Sequence, residues 1–324
     1  MGASSMVPGP IRRLAEELTE LNPDIGTSVD DPLAVIEEID YALRPPVHER
    51  RVPSYGAIVG ARTELSHWAE AAGFEVSRRR VDDLRDATVR RLADGIVSWA
   101  IRGSSGVNDL VVFDRSVGSE RDQTILADAT QGVMVQRHPN GTVRAIGPFG
   151  VLRHDGMTWH LEPPIDRWLD RERCLSLPMD ACLFDKVLRF AVHDVAARRI
   201  GATLLISPDG SLHPNTEQRV GRPPEFAIDR PADLAPLYHI LGQLDGAAAF
   251  NAEGQLQHLG LRLVPTVEAE AAVKAYRGTR HTSALRYSFD DPAAVLVVVS
   301  EDGPISVVQG GKLIGVSTTL VPAP

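Results

Sequence analysis

Val295-Leu296-Val297-Val298-Val299-Ser300-Glu301 is an unbroken apolar run, mostly β-branched, that ends on a hydroxyl and a carboxylate. A continuous run of this kind suits a strand buried on both faces rather than one with a wet side. Upstream, Asp245-Gly246-Ala247 stands at a helix-to-strand junction, and Gly278-Thr279-Arg280-His281-Thr282-Ser283-Ala284 opens a helix. Downstream, Asp302-Gly303-Pro304-Ile305-Ser306 turns the run into a further strand. Two acids and a basic pair thus fall on the ends of short elements, an arrangement able to grip metal-bound phosphates.

The neighbouring pattern extends this core. Ala181–Arg198 has helical spacing, and Ala202–Ile206 is a short apolar strand. Ser207–Arg230 reads as a long polar loop, in which Arg219, Arg222 and Arg230 either face phosphates or are solvated. Helix Ala232–Leu244, strands Gly246–Phe250 and Leu256–Leu263, helix Val267–Gly278, and strands Ile305–Gln309 and Lys312–Val316 complete the series. Strands mixed with helices in this order predict a three-layer α/β domain around a mixed central sheet, over residues 171–324.

Residues 1–170 have another texture and predict a smaller α+β module with an antiparallel sheet. Helices are expected at Ile11–Leu21, from Asp31-Pro32 to the residues before Pro45-Pro46, and at about Ala61–Ala72, closed by Gly73. His48–Ser54 reads as linker. Short alternating stretches at Gly95–Arg102, Asp109–Asp114, Gly132–Arg137, Thr142–Ile146 and Met157–Glu162 read as strands. Pro139-Asn140-Gly141 and His154-Asp155-Gly156 are hairpin turns, since Asn, Asp and Gly tolerate the positive φ a tight turn needs. His138, His154 and His160 match no ligand spacing and read as turn or surface residues. Arg78-Arg79-Arg80 and Arg90-Arg91, interleaved with Asp82, Asp83 and Asp86, read as a solvated charged face. By elimination the module is a sensory or protein-binding one, for an unknown ligand or protein.

Composition narrows the classes. The 324 residues carry a net charge of −9, which argues against generic nucleic-acid binding but not against nucleotides held by a local basic patch and a metal. No apolar run is long enough to span a bilayer, Met1–Pro10 lacks a signal-peptide pattern, and Met6 stands where a myristoylation motif wants Ser or Thr. The 2 cysteines, Cys174 and Cys182, make neither a disulfide framework nor a zinc site, so a reduced, cytoplasmic protein without a membrane partner is expected.

Taken singly, each candidate has an ordinary reading: Asp-Gly is a common turn, Gly-Thr caps many helices, and a Glu after a strand is often solvent-facing. Their joint occurrence is specific. Asp245-Gly246-Ala247 with Phe250, Gly254, Leu256 and Gly260, then Gly278–Ala284, then Val297–Ser306, resemble in order and spacing the diadenylate cyclase domain of the DNA-integrity scanning protein and its relatives. The resemblance covers roughly Ala181–Val316. It implies condensation of two ATP into cyclic di-AMP with release of two pyrophosphates, across a face-to-face dimer and with Mg or Mn as cofactor. It implies Asp245 and Glu301 as metal ligands, and Asp245, Arg280, His281 and Glu301 as the catalytic group. Gly246, Ala247, Leu259, Gly260, Thr279, Thr282, Ser283 and Ser300 are implied to hold the nucleotide. The family's best-known members read Arg-His-Arg where this chain has Arg280-His281-Thr282, which leaves rate and nucleotide preference open and suggests compensation by another arginine such as Arg222. The alternatives are a catalytically silent nucleotide-binding sensor and a synthase of another cyclic nucleotide.

Overall fold

The computed structural model describes residues 8–317 except 23, 28, 48, 82–84, 104–105, 170–176, 178, 209 and 302–303. The turn assigned to Gly303, the acids Asp82 and Asp83, and Cys174 therefore lie outside the described residues. The chain divides into two compact units, one ending at Pro164 and the other beginning at Ile165.

The first unit runs α1 (Gly9–Leu21), α2 (Asp24–Thr27), α3 (Pro32–Leu43), β1 (Tyr55–Val59), α4 (Leu65–Ala72), β2 (Val76–Arg80), α5 (Asp86–Leu92), β3 (Ser98–Gly103), β4 (Gly106–Phe113), α6 (Glu120–Thr130), β5 (Val133–Arg137), β6 (Val143–Gly147), β7 (Gly150–His154) and β8 (Trp159–Glu162). Its eight strands form one sheet in the order β2-β4-β3-β1-β5-β6-β7-β8. The sheet is antiparallel except that β1 and β3 run parallel, with Ala57 opposite Ala100. That parallel pair corrects the expectation of an antiparallel sheet, and β1, which begins directly after the linker expected at His48–Ser54, is a strand the sequence reading does not assign. Leu14, Leu18, Ile36 and Ile39 cover one face, while Trp68 and Leu126 cover the other. Asp31 caps α3 by accepting from Ala34 N–H, Ser119 caps α6, and Gly73 closes α4 at φ +67. Helix α4 starts at Leu65 rather than Ala61. Both anticipated hairpins form, joining β5 to β6 and β7 to β8.

Beneath α3 lies a fully buried carboxylate. Glu38 accepts from Arg90 at 2.5 Å, from Arg102 at 2.8 Å and from the Tyr55 hydroxyl. Burial, reinforced by the Glu38 charge, holds the Tyr55 phenol well above its ordinary range. At the β7–β8 turn, backbone N–H groups of Thr158 and Met157 hold the Asp155 carboxyl well below the usual range. The same carboxylate meets His160 at 3.0 Å, and His154 packs on Trp159, so these histidines serve the turn as expected.

The second unit runs α7 (Ile165–Trp168), α8 (Ala181–Phe190), β9 (Ala202–Ile206), β10 (Thr216–Gln218), α9 (Pro231–Gln243), β11 (Ala247–Phe250), β12 (Leu256–Leu263), α10 (Val267–Ala272), α11 (Thr279–Asp290), β13 (Val295–Val299), β14 (Ile305–Gln309) and β15 (Lys312–Val316). Its sheet order is β10-β12-β11-β9-β13-β14-β15, mixed because β9 and β11 are parallel while the other pairs are antiparallel. Along β13 the side chains alternate: Val295, Val297 and Val299 pack with α8 and α9, and Leu296 and Val298 pack with α11. Both faces are therefore dry, giving the three layers that the apolar run demands. Each of these side chains contributes about 1.5–3 kcal/mol on burial. The expected helix Ala181–Arg198 is α8 followed by a π turn at Ala191–Val195 and a 3₁₀ turn at Ala196–Arg198. The expected loop Ser207–Arg230 contains β10, which pairs with the end of β12, and is tied to α11 where the Tyr287 hydroxyl accepts from His213 N–H at 3.1 Å. Helix α10 stops at Ala272, six residues short of the expected end at Gly278.

Candidate functional site

Because β13 runs antiparallel to β9, the end of β13 meets the starts of β9 and β11: Val298 lies opposite Thr203, and Thr203 opposite Ala247. Asp245, two residues before β11, and Ser300, one residue after β13, therefore share one edge of the sheet. This is the edge where the parallel pair begins, not the carboxyl ends of parallel strands at which open α/β sheets usually bind ligands. Helix α11 starts against the same edge, and a cavity of about 800 Å³ opens between them.

Its wall contains Asp245, Gly246, Ala247, Gly260, Thr279, Arg280, His281, Ser283 and Ser300, nine residues that the sequence picks out from three separate motifs. Leu259, Thr282 and Glu301 are not in the wall. Leu259 is buried in the core under α8 and α9. The Thr282 hydroxyl is engaged by the backbone of Tyr276, and Glu301 is exposed just beyond Ser300. Leu259 faces away because the β11–β12 register shifts between Ala247 and Ala249, and Gly260 sits at φ +63. One extra residue in a strand flips the faces that follow, so Leu261 reaches the opposite core and the cavity.

Among the described residues, five arginines line the cavity, Arg219, Arg262, Arg277, Arg280 and Arg286, against two carboxylates, Asp245 and Glu270. Arg262 meets Glu217 at 3.3 Å and Arg286 meets Glu270 at 3.2 Å, which leaves a local cationic surplus on an acidic chain. The N-terminus of α11 has no side-chain cap at Gly278, so its first N–H groups and its dipole favour an anion there. Gly201 makes room for Arg280: a Cβ at Gly201 would sit 2.4 Å from the Arg280 Nη1. His281 is 4% exposed, and its buried Nε2 has no hydrogen-bond partner among the described residues. Burial, aided by Arg277 and Arg280, lowers its pKa and keeps the imidazole neutral at pH 7. A neutral imidazole can accept or donate one further hydrogen bond without adding charge.

Arg222, the arginine suggested to replace the motif's missing cation, is exposed, pairs with Glu225 and lines a different pocket. Arg219, which the sequence leaves as either phosphate-facing or solvated, lines the cavity, whereas the contributions of Arg262, Arg277 and Arg286 escape sequence reasoning. Arg219 follows β10, which pairs with β12; Arg262 lies on β12, Arg277 just before α11 and Arg286 on α11.

As to metal, no cluster of three or more His, Cys, Asp or Glu is present among the described residues. A Mg²⁺ or Mn²⁺ ion bound chiefly through substrate phosphates needs only one or two carboxylates, so the exposed Asp245 in this wall fits such an ion.

Residues 189–313 match the family described as DAC, DisA bacterial checkpoint controller nucleotide-binding, and residues 12–162 match the family described as DACNK, a probable sensor domain. The chain thus carries a DAC-family nucleotide-binding domain preceded by a DACNK domain. Among solved structures, a hypothetical membrane-spanning protein from Bacillus cereus is similar at 18% identity and TM-score 0.31, over 47% of this chain and 66% of that one. A double mutant of DacA from Staphylococcus aureus is similar at 24% identity and TM-score 0.26, over 40% of this chain and 83% of that one. No curated protein matches the chain. No helix among the described residues is long and apolar enough to cross a membrane.

Proposed function

We propose that the second unit is a diadenylate cyclase, condensing two ATP into cyclic di-AMP and releasing two pyrophosphates. The observation that carries this reading is the convergence of Asp245, the Thr279–His281 helix start and Ser300 on one arginine-rich cavity. In each of two steps a 3′-oxygen bonds to the α-phosphorus of the facing nucleotide. The bond from that phosphorus to the bridging oxygen breaks, and pyrophosphate leaves with the electron pair. Asp245, beside the attacking hydroxyl, favours loss of its proton to solvent. Arg280, the N–H groups at the start of α11, and the hydroxyls of Thr279 and Ser283 hold the phosphates, and His281 supplies one neutral hydrogen bond at Nε2. Positioning and charge neutralisation suffice for in-line phosphoryl transfer. Asp245 and phosphate oxygens would hold a bound Mg²⁺ or Mn²⁺, which would neutralise phosphate charge; Glu301, outside the wall, is not needed for an ion bound chiefly through phosphates. Two such cavities face each other across a dimer, each bringing one ATP, and the first unit regulates their geometry.

The test is incubation of the full chain with ATP and Mn²⁺ or Mg²⁺, with products resolved by mass. Cyclic di-AMP from the wild type and none from Asp245→Asn supports the reading. ATP binding without any cyclic product would instead favour a nucleotide sensor, and a different cyclic product another nucleotide preference.

A further inference from the structure

Just before α11 the chain makes a turn that the helix itself holds in place. The Thr282 hydroxyl, one turn into the helix, accepts from Tyr276 N–H and donates to Tyr276 C=O, both at 3.1 Å. The Tyr276 ring meets His281 edge-on at 6.0 Å between centroids. The next residue, Arg277, takes a left-handed backbone at φ +52, unusual for a side chain other than Gly, Asn or Asp. Its guanidinium lies 5.3 Å from the centre of the Tyr276 ring, and the residue lines the wall that also holds Asp245 and Arg280. Arg262 and Arg286 in that wall each have a carboxylate, whereas Arg277 has no ion pair among the described residues.

A strained backbone, a two-point clamp on the residue before it, and an unneutralised guanidinium at a helix start together make a presented cation. We propose that Arg277 binds the nucleotide phosphates alongside Arg280, and that Thr282 is a positioning residue acting through the Tyr276 backbone. The proposal rests on the nucleotide reading above. It also gives Thr282 a role other than touching the ligand: its hydroxyl fixes the turn from which a different arginine reaches the cavity.

The test is calorimetric titration of the full chain with ATP and, separately, with adenosine, which lacks phosphates. Arg277→Asn removes the charge while keeping a residue that tolerates the left-handed backbone. ATP affinity should fall about tenfold or more, as expected for loss of a charge-assisted contact, with adenosine affinity changed less than about twofold. Arg277→Lys should recover part of the loss. Thr282→Val should weaken ATP in the same selective way, and Thr282→Ser, which keeps the hydroxyl, should restore it. Unchanged ATP affinity in Arg277→Asn, beside a clear loss in Arg280→Ala, would overturn the proposal while sparing the nucleotide reading. Equal losses for ATP and adenosine would also overturn it, because they mark a structural effect. A wild type that binds no ATP would remove the nucleotide reading, and this proposal with it.

Discussion

Gly246→Ala should destabilise the second unit severely for the change of one hydrogen into a methyl group. Gly246 has φ +107, outside the range open to alanine without strain. A Cβ there would lie 2.7 Å from the carbonyl carbon of Gly260 and 2.8 Å from the carbonyl oxygen of Leu261. Both are backbone atoms of β12, so no side-chain rotation relieves the clash. The dihedral strain costs about 1–3 kcal/mol, and forcing β11 from β12 adds about 1–3 kcal/mol. The sum, about 2–6 kcal/mol, corresponds to roughly 4–24 °C in the melting temperature of a unit this size. Scanning calorimetry on the full chain reads this directly. Gly278→Ser is the control, because Gly278 is at φ −119 with nothing within 4 Å of its Cβ position, and serine can cap α11. It should melt at or slightly above the wild-type temperature. A Gly246→Ala protein within about 1 kcal/mol of wild type would refute the close approach of β11 and β12 on which the cavity depends.

Other consequences follow from the same contacts. Glu38→Ala in the first unit strips Arg90, Arg102 and Tyr55 of their shared buried partner, and should cost about 3–5 kcal/mol in denaturant unfolding. Lowering the pH should weaken the second unit through His258 and His281, both held below their ordinary pKa by burial. The unfolded chain takes up protons below about pH 6.5 and the folded one resists, so stability is full above that pH and falls below it until the folded values are reached. Denaturant midpoints at pH 7.5 and 5.5 check the sign, and His281→Gln should flatten the difference. Asp245→Asn should leave the melting temperature within about 2 °C of wild type, because the side chain is exposed, yet eliminate product.

The second unit was largely legible because its strands are short apolar-rich stretches set off by turn residues, with Val295–Val299 an unbroken apolar run buried on both faces. Val295–Val299, Ile305–Gln309, Lys312–Val316, Ala202–Ile206 and Leu256–Leu263 form as strands with the expected ends. What escaped was set by contacts distant in sequence. Tyr55–Val59 is a central strand, but it is short, follows Pro53 and contains Gly56, so no strand is read there. Val76–Arg80 is an edge strand whose arginines point outward, and the basic run masks it. The overlong helix at Val267–Gly278 reflects good local propensity overridden by the Thr282 clamp on Tyr276. At the site, residues on element ends were found and those whose direction depends on a bulge or clamp were not. Asp245, Arg280, His281 and Ser300 converge, whereas Leu259 and Thr282 turn elsewhere.

The measurement closest to the central claim is product stoichiometry with α-phosphate-labelled ATP and Mn²⁺ on the full chain. The account predicts one doubly labelled cyclic dinucleotide and two pyrophosphates for every two ATP consumed, and neither from Asp245→Asn. Release of ADP with single phosphates, or cyclic product that persists in Asp245→Asn, would contradict it.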